Sequence, residues 1–205
     1  MTMVLFSYVV RWDHGFAPNP FCGVCSLATC KPGLRKKANA GDWVLGTGPS
    51  KRGLADRAVF LMRVDEITSF DAYWRDPRFL AKRPVLSGSF KVRFGDNIYH
   101  RANLGSPWIQ ADSRHSQHGA VANQKNLNRD TGTTDKVLLS MNFKYWGDQA
   151  PQLPQQFAHF AIGRPGYKYD FPAAKVAAFL QWADGLGQTG RLGDPIEWKW
   201  ARWWR

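Results

Sequence analysis

A chain of 205 residues, 44% of them hydrophobic, can build one substantial core and is short for two, so a single domain over residues 1–205 is expected, with its core in 1–170 and a C-terminal helix and tail in 171–205. The formal charge of +12, from 28 Lys and Arg against 16 Asp and Glu, sets up a field that draws in polyanions, DNA or RNA first among them. No apolar run approaches the about 18 residues that cross a bilayer, which excludes a membrane helix, and the N-terminus has no basic lead, so a cytoplasmic protein is expected.

Val4 to Trp12 is apolar and β-rich and reads as a buried first strand. It stops at Asp13-His14-Gly15-Phe16-Ala17-Pro18-Asn19-Pro20, where two prolines and a glycine force a loop. Asp13, His14 and Asn19 therefore stand at a strand end, where a scaffold often presents functional groups and where Asp and Asn also close turns. Cys22 and Cys25 have the Cys-x-x-Cys spacing, but with Cys30 they form an odd trio lacking a second ligand pair, so small buried thiols and no metal are expected. Lys31-Pro32-Gly33 opens a helix to about Asn39. Lys31, Arg35 and Lys36 make that helix start a candidate phosphate site. A strand after Gly41-Asp42 and another over Ala58 to Val64 complete an order that fits an α+β fold, a small mixed or closed β-barrel with flanking helices.

Thr68 to Leu80 reads as a helix capped by Thr68 or Ser69, with Phe70, Tyr73 and Trp74 on one face and Pro77 as its breaker. Arg75, Arg78, Lys82 and Arg83 follow as a basic cluster, with Arg78 a candidate phosphate contact. Phe90 to Phe94 alternates like a short strand. From Arg93 to Ser116 no period of 3.6 or 2 survives, and Gly95, Gly105 and Pro107 punctuate a loop that gathers acids, amides, imidazoles and aromatic rings. Such a loop suits a flat polar ligand, because rings stack on its face while amides and carboxylates read its edge. Val121 to Asp135 is Asn-rich and expected to be irregular, and Lys136 to Phe143 returns as a strand. Ala173 to Leu186 is the clearest helix, with Val176, Phe179, Leu180 and Ala183 on one side. The tail from Trp198 to Arg205 alternates Trp with cations and suits cation–π docking or stacking on bases. The chain has no P-loop, no dinucleotide fingerprint and no Gly-x-Ser-x-Gly elbow, and no cofactor is expected.

Four blocks together resemble the nucleotide-modification-associated domain 2 family: Arg11-Trp12-Asp13-His14-Gly15-Phe16-Ala17-Pro18-Asn19, Thr29-Cys30-Lys31-Pro32 leading to Gly41-Asp42-Trp43-Val44, Tyr73-Trp74-Arg75-Asp76-Pro77-Arg78-Phe79, and Gly95-Asp96-Asn97-Ile98-Tyr99. The resemblance covers about residues 5 to 165, and the order of elements is similar to PUA and EVE-like barrels, which flip modified bases into a pocket. It implies a link to hypermodified bases of phage DNA or to defence against them.

The function expected on this footing is a DNA-binding protein that extrudes a modified base and excises it as a DNA glycosylase. Asp96, Asp112 and Asp13 are the candidate carboxylates and His115 the candidate donor to the departing base. Tyr99 and Trp108 would stack on the base, and Asn19, Asn97 and Gln110 would read it. A non-catalytic reader of the base and an RNA-binding PUA-like protein are the alternatives.

Overall fold

The computed structural model describes residues 3–200. In chain order the elements are β1 (Leu5–Val9), β2 (Cys25–Leu27), α1 (Pro32–Lys37), β3 (Trp43–Thr47), β4 (Ala58–Arg63), β5 (Glu66–Ser69), α2 (Phe70–Arg75) and α3 (Phe90–Arg93). There follow β6 (Tyr99–His100), β7 (Ile109–Gln110), α4 (Gln124–Thr131), β8 (Lys136–Ser140), β9 (Phe143–Tyr145), β10 (Tyr167–Lys168), α5 (Ala173–Gly185) and β11 (Gly190–Arg191). They gather into two compact units that alternate along the chain. The first runs up to Asp13, resumes over Ala38–Asp65 and again from Ser140, and the second comprises His14–Lys37 and Glu66–Leu139.

The first unit is built on a six-stranded mixed sheet in the order β10-β1-β3-β4-β9-β11. Its central strands are apolar on both faces, as the uninterrupted runs in β1, β3 and β4 predict, and Leu5, Val44, Leu45 and Phe60 are fully enclosed. β1 pairs in parallel with β3 from Leu5↔Trp43 to Val9↔Thr47, and β3 pairs antiparallel with β4. Gly46 is required here, since a Cβ on it would lie 2.1 Å from the Phe60 ring. The mixed sheet is as expected, but the closed barrel is not observed. Closure needs the two edges to hydrogen-bond to one another, and the edges here are the two-residue strands β10 and β11, paired only with β1 and β9. The α5 helix buries Val176, Phe179 and Ala183, the side foreseen from its spacing, and Phe179 packs against Phe157, Phe160 and Trp182. Asp13 staples this unit: its carboxylate accepts hydrogen bonds from Tyr145 Oη at 2.6 Å and from the Ile196 amide at 3.1 Å. Of the tail, Trp200 stands under the Arg52 guanidinium at 5.3 Å, a cation–π contact, while Trp203 and Trp204 lie outside the described residues.

The second unit holds a three-stranded sheet, β2-β8-β5, and the β6–β7 hairpin, with α1 to α4 around them. Three expectations are corrected in it. The stretch from Thr68 to Leu80 is not one helix but β5, then α2, then a 3₁₀ turn over Pro77–Lys82. Ser69 caps α2 by accepting the Ala72 amide at 3.2 Å, and Pro77 disfavours helical backbone at Asp76, whose carboxylate then caps the next turn through the Arg78 amide. Phe90–Arg93 is a helical turn rather than a strand, because five residues of alternation do not separate the two. The Asn-rich stretch contains α4, started by Asn123, whose side chain accepts the Asn126 amide at 3.1 Å. A fourth correction concerns the single strand expected over Lys136 to Phe143, which is broken into β8 and β9. Asp65 Oδ2 accepts the amides of both Met141 and Asn142, and the chain changes sheet there.

Candidate functional site

β2 carries the chain to Cys30, and the backbone there is strained. Cys30 and Lys31 both have left-handed φ values, 59° and 44°, a conformation that non-glycine residues hold only where their surroundings over-determine it. Both polar backbone groups of Cys30 are pinned: its amide donates to Asp130 Oδ1 at 3.0 Å, and its carbonyl accepts from Arg35 Nε at 2.9 Å. Arg35 rises from α1, is fully buried, and spends its other nitrogens on the carbonyls of Lys136 and Asp130. This conformation leaves the Cys30 thiol partly exposed and aimed at an imidazole.

That imidazole is His115, at the end of the long polar loop. Its Nε2 is 3.6 Å from Cys30 Sγ, and its Nδ1 is 3.0 Å from Asp130 Oδ2. Asp130 sits in the last turn of α4 with its side chain 0% exposed and also accepts from Tyr99 Oη at 2.9 Å and from Arg129 Nε at 2.8 Å. Gln110 supports the arrangement by donating to Tyr99 Oη and to the His115 carbonyl, while Phe16 meets the His115 ring edge-on at 4.6 Å. A carboxylate on Nδ1 holds the imidazole in the tautomer whose Nε2 faces the thiol, so nucleophile, base and orienting acid stand in the order that thiol catalysis requires. The 3.6 Å separation is within hydrogen-bond reach for the larger sulfur atom.

Burial is the largest single influence and opposes charge on both His115 and Asp130, but it is outweighed by their neighbours taken together: Asp130 and Cys30 raise the imidazole above 6.5, and His115 and Arg129 hold the carboxyl well below its usual range. A raised imidazole binds its proton more tightly in the folded state than in the unfolded chain. The stability it contributes is therefore complete below about 6.5 and is lost as pH rises through the folded value. The expected NMR result is a His115 titration midpoint above 6.5 that falls in Asp130→Asn; a midpoint at or below 6.5 would contradict the coupling.

The model of nucleotide modification associated domain 2 matches residues 2–202. The chain belongs to this family. The match reaches further than the four blocks noted in the sequence and takes in the tail as far as residue 202. No curated protein and no solved structure matches the chain.

In this member of the family, the residues singled out in the sequence fall into separate settings. His115, Tyr99 and Gln110 converge at Cys30 and Asp130, but Tyr99 is buried edge-on against Phe70, and burial and the Asp130 charge push its phenol upward in pKa. Trp108 is half-buried beneath the Arg101 guanidinium at 4.3 Å, and Asp112 accepts from Ser116 Oγ at 2.6 Å. Asn97 is buried and donates to the carbonyls of Tyr73 and Phe79. Asn19 and Asp96 belong to a second, sealed network with Ser26, Tyr73 and Lys82. Asp13 is in the first unit. Among the expected phosphate contacts, Arg35 points inward, Arg78 is held by Glu66 and Asp76, Lys31 is half-buried beside Cys30, and Lys36 is exposed. Cys30 and Asp130 were not foreseen as a pair with His115, because the three lie 85 and 15 residues apart. Among the described residues no group of three or more His, Cys, Asp or Glu side chains is arranged to hold a metal ion.

Proposed function

We propose that the protein is a thiol-dependent acyl-transfer enzyme of nucleotide modification, acting on an amide- or ester-linked group attached to a nucleobase. The observation that carries this reading is Cys30 Sγ at 3.6 Å from His115 Nε2, with Asp130 at 3.0 Å from the other ring nitrogen. His115 takes the thiol proton as Cys30 Sγ attacks the acyl carbon. The tetrahedral adduct collapses with that proton passing to the departing amine or hydroxyl of the base, leaving a Cys30 thioester. Water then attacks the thioester, giving its proton to His115, and the carboxylic acid leaves as the thiol re-forms. An acceptor amine in place of water would transfer the acyl group instead. Membership in a nucleotide-modification family and the +12 charge support a nucleic-acid substrate.

Excision of the base would draw on the same His115 as proton donor, but its carboxylates have less support. Asp96 is 1% exposed, and Asp112 is engaged by Ser116. The deciding experiment incubates the protein with DNA and RNA oligonucleotides carrying acetyl, aminoacyl or malonyl groups on exocyclic base amines, followed by nucleoside mass spectrometry. Loss of the acyl group with the base left in the strand is expected. A free base in solution would favour excision, and tight binding with no change in the strand would favour a reader. The logarithm of the affinity for the oligonucleotide should also fall linearly with log salt, by roughly a thousandfold in affinity between about 50 and 200 mM; a flat dependence would remove the polyanion from the reading.

A further inference from the structure

Arg129 is not needed to hold His115, since Asp130 does that, yet its head lies across the whole thiol site. Its Nη2 is 3.7 Å from Cys30 Sγ, 3.3 and 3.4 Å from the two ring nitrogens of His115, and 3.0 Å from Asp130 Oδ2. The side chain is 41% exposed, and among the described residues its Nη1 makes no hydrogen bond to the protein. Positive charge is in excess here: Lys31, Arg35 and Arg129 all interact electrostatically with Cys30, whereas among the described residues Asp130 is the one carboxylate hydrogen-bonded to it. Arg35 is consumed by three backbone carbonyls, so the open guanidinium edge beside the sulfur belongs to Arg129. The amide of the nucleophile, a common donor to the oxyanion in acyl transfer, is already given to Asp130.

We propose that Arg129 makes this thiol site anion-selective, taking substrates in which a carboxylate or phosphate lies within one or two bonds of the electrophilic carbon. A planar guanidinium with a free edge suits such an oxyanion and would hold the carbon against Cys30 Sγ. This subsite rests on the thiol reading above, and the test separates the two. The full chain is alkylated with iodoacetate and, separately, with iodoacetamide, which are nearly equal in size and differ in charge. The rates at Cys30 and at the exposed Cys22 are read by peptide mass spectrometry. The iodoacetate-to-iodoacetamide ratio is expected to be about tenfold higher at Cys30 than at Cys22, to fall to the Cys22 value in Arg129→Gln, and to be partly kept in Arg129→Lys. Taking a ratio within each variant cancels any general change in Cys30 reactivity, and continued protection of the buried Cys25 reports an intact fold. Protection of Cys30 by inorganic phosphate or by malonate then tells a phosphate-bearing substrate from a carboxylate-bearing one. Equal ratios at the two cysteines of the wild type, or a Cys30 preference that survives in Arg129→Gln, would overturn the subsite. A Cys30 unreactive toward both reagents would overturn the thiol mechanism, and the subsite with it.

Discussion

Cys30→Ala is expected to keep the fold and to lower turnover by at least about 10⁴-fold, because groups that act as a unit lose nearly all their effect when one is removed. For the same reason Cys30→Ala combined with His115→Ala should be no slower than either single variant. The measurement is release of the acyl group from the modified oligonucleotide under single-turnover conditions. Independent costs that multiply in the double variant would show that thiol and imidazole do not work together. Full activity in Cys30→Ala would leave His115 and Asp130 as an acid–base pair without a nucleophile and return attention to excision. The positioning role of Arg35 is separable from these. Arg35→Lys removes the guanidinium that fixes the Cys30 carbonyl, so the thiol should lose its alignment while His115 keeps its contact with Asp130 and only the part of its raised titration that comes from Asp130.

Asp96→Asn is expected to destabilise the protein by about 3–5 kcal/mol. Asp96 accepts from Ser26 Oγ at 2.7 Å and Tyr73 Oη at 2.9 Å, while Lys82 Nζ donates to the same Ser26 hydroxyl at 2.9 Å and to Asn19 Oδ1 at 2.7 Å. Both charges are 1% exposed, and burial pushes the lysine down and the carboxyl up in pKa, each toward its neutral form, against the attraction between them. Removing one leaves the other uncompensated. Removing both, as Asp96→Asn with Lys82→Met, should recover most of the loss, since the desolvation of two ions is then avoided. Chemical denaturation of the two single variants and the double variant measures this coupling. An Asp96→Asn protein that unfolds at the wild-type midpoint but has lost all activity would instead make Asp96 a catalytic carboxylate.

Local chemistry determined a good deal by itself. The apolar runs of β1, β3 and β4, the proline that opens α1, the serine that caps α2 and the apolar side of α5 each depend on a few neighbouring residues, and each is where the sequence places it, whereas the stretch before His115, expected to be loop alone, contains the β6–β7 hairpin. Tertiary structure decided the rest. Whether Asp65 turns one long strand into β8 and β9 depends on two amides 76 and 77 residues away. In the sequence Arg35 is a candidate phosphate contact and Lys82 a member of a basic cluster, yet both are buried, because carbonyls and hydroxyls from distant segments replace their water. Cys30, 85 residues from His115 and 100 from Asp130, became a nucleophile candidate only once its left-handed backbone was held between Asp130 and Arg35. Periodicity reports which face of an element is buried; it carries no information about which polar group, a hundred residues on, will accept the hydrogen bond that burial demands.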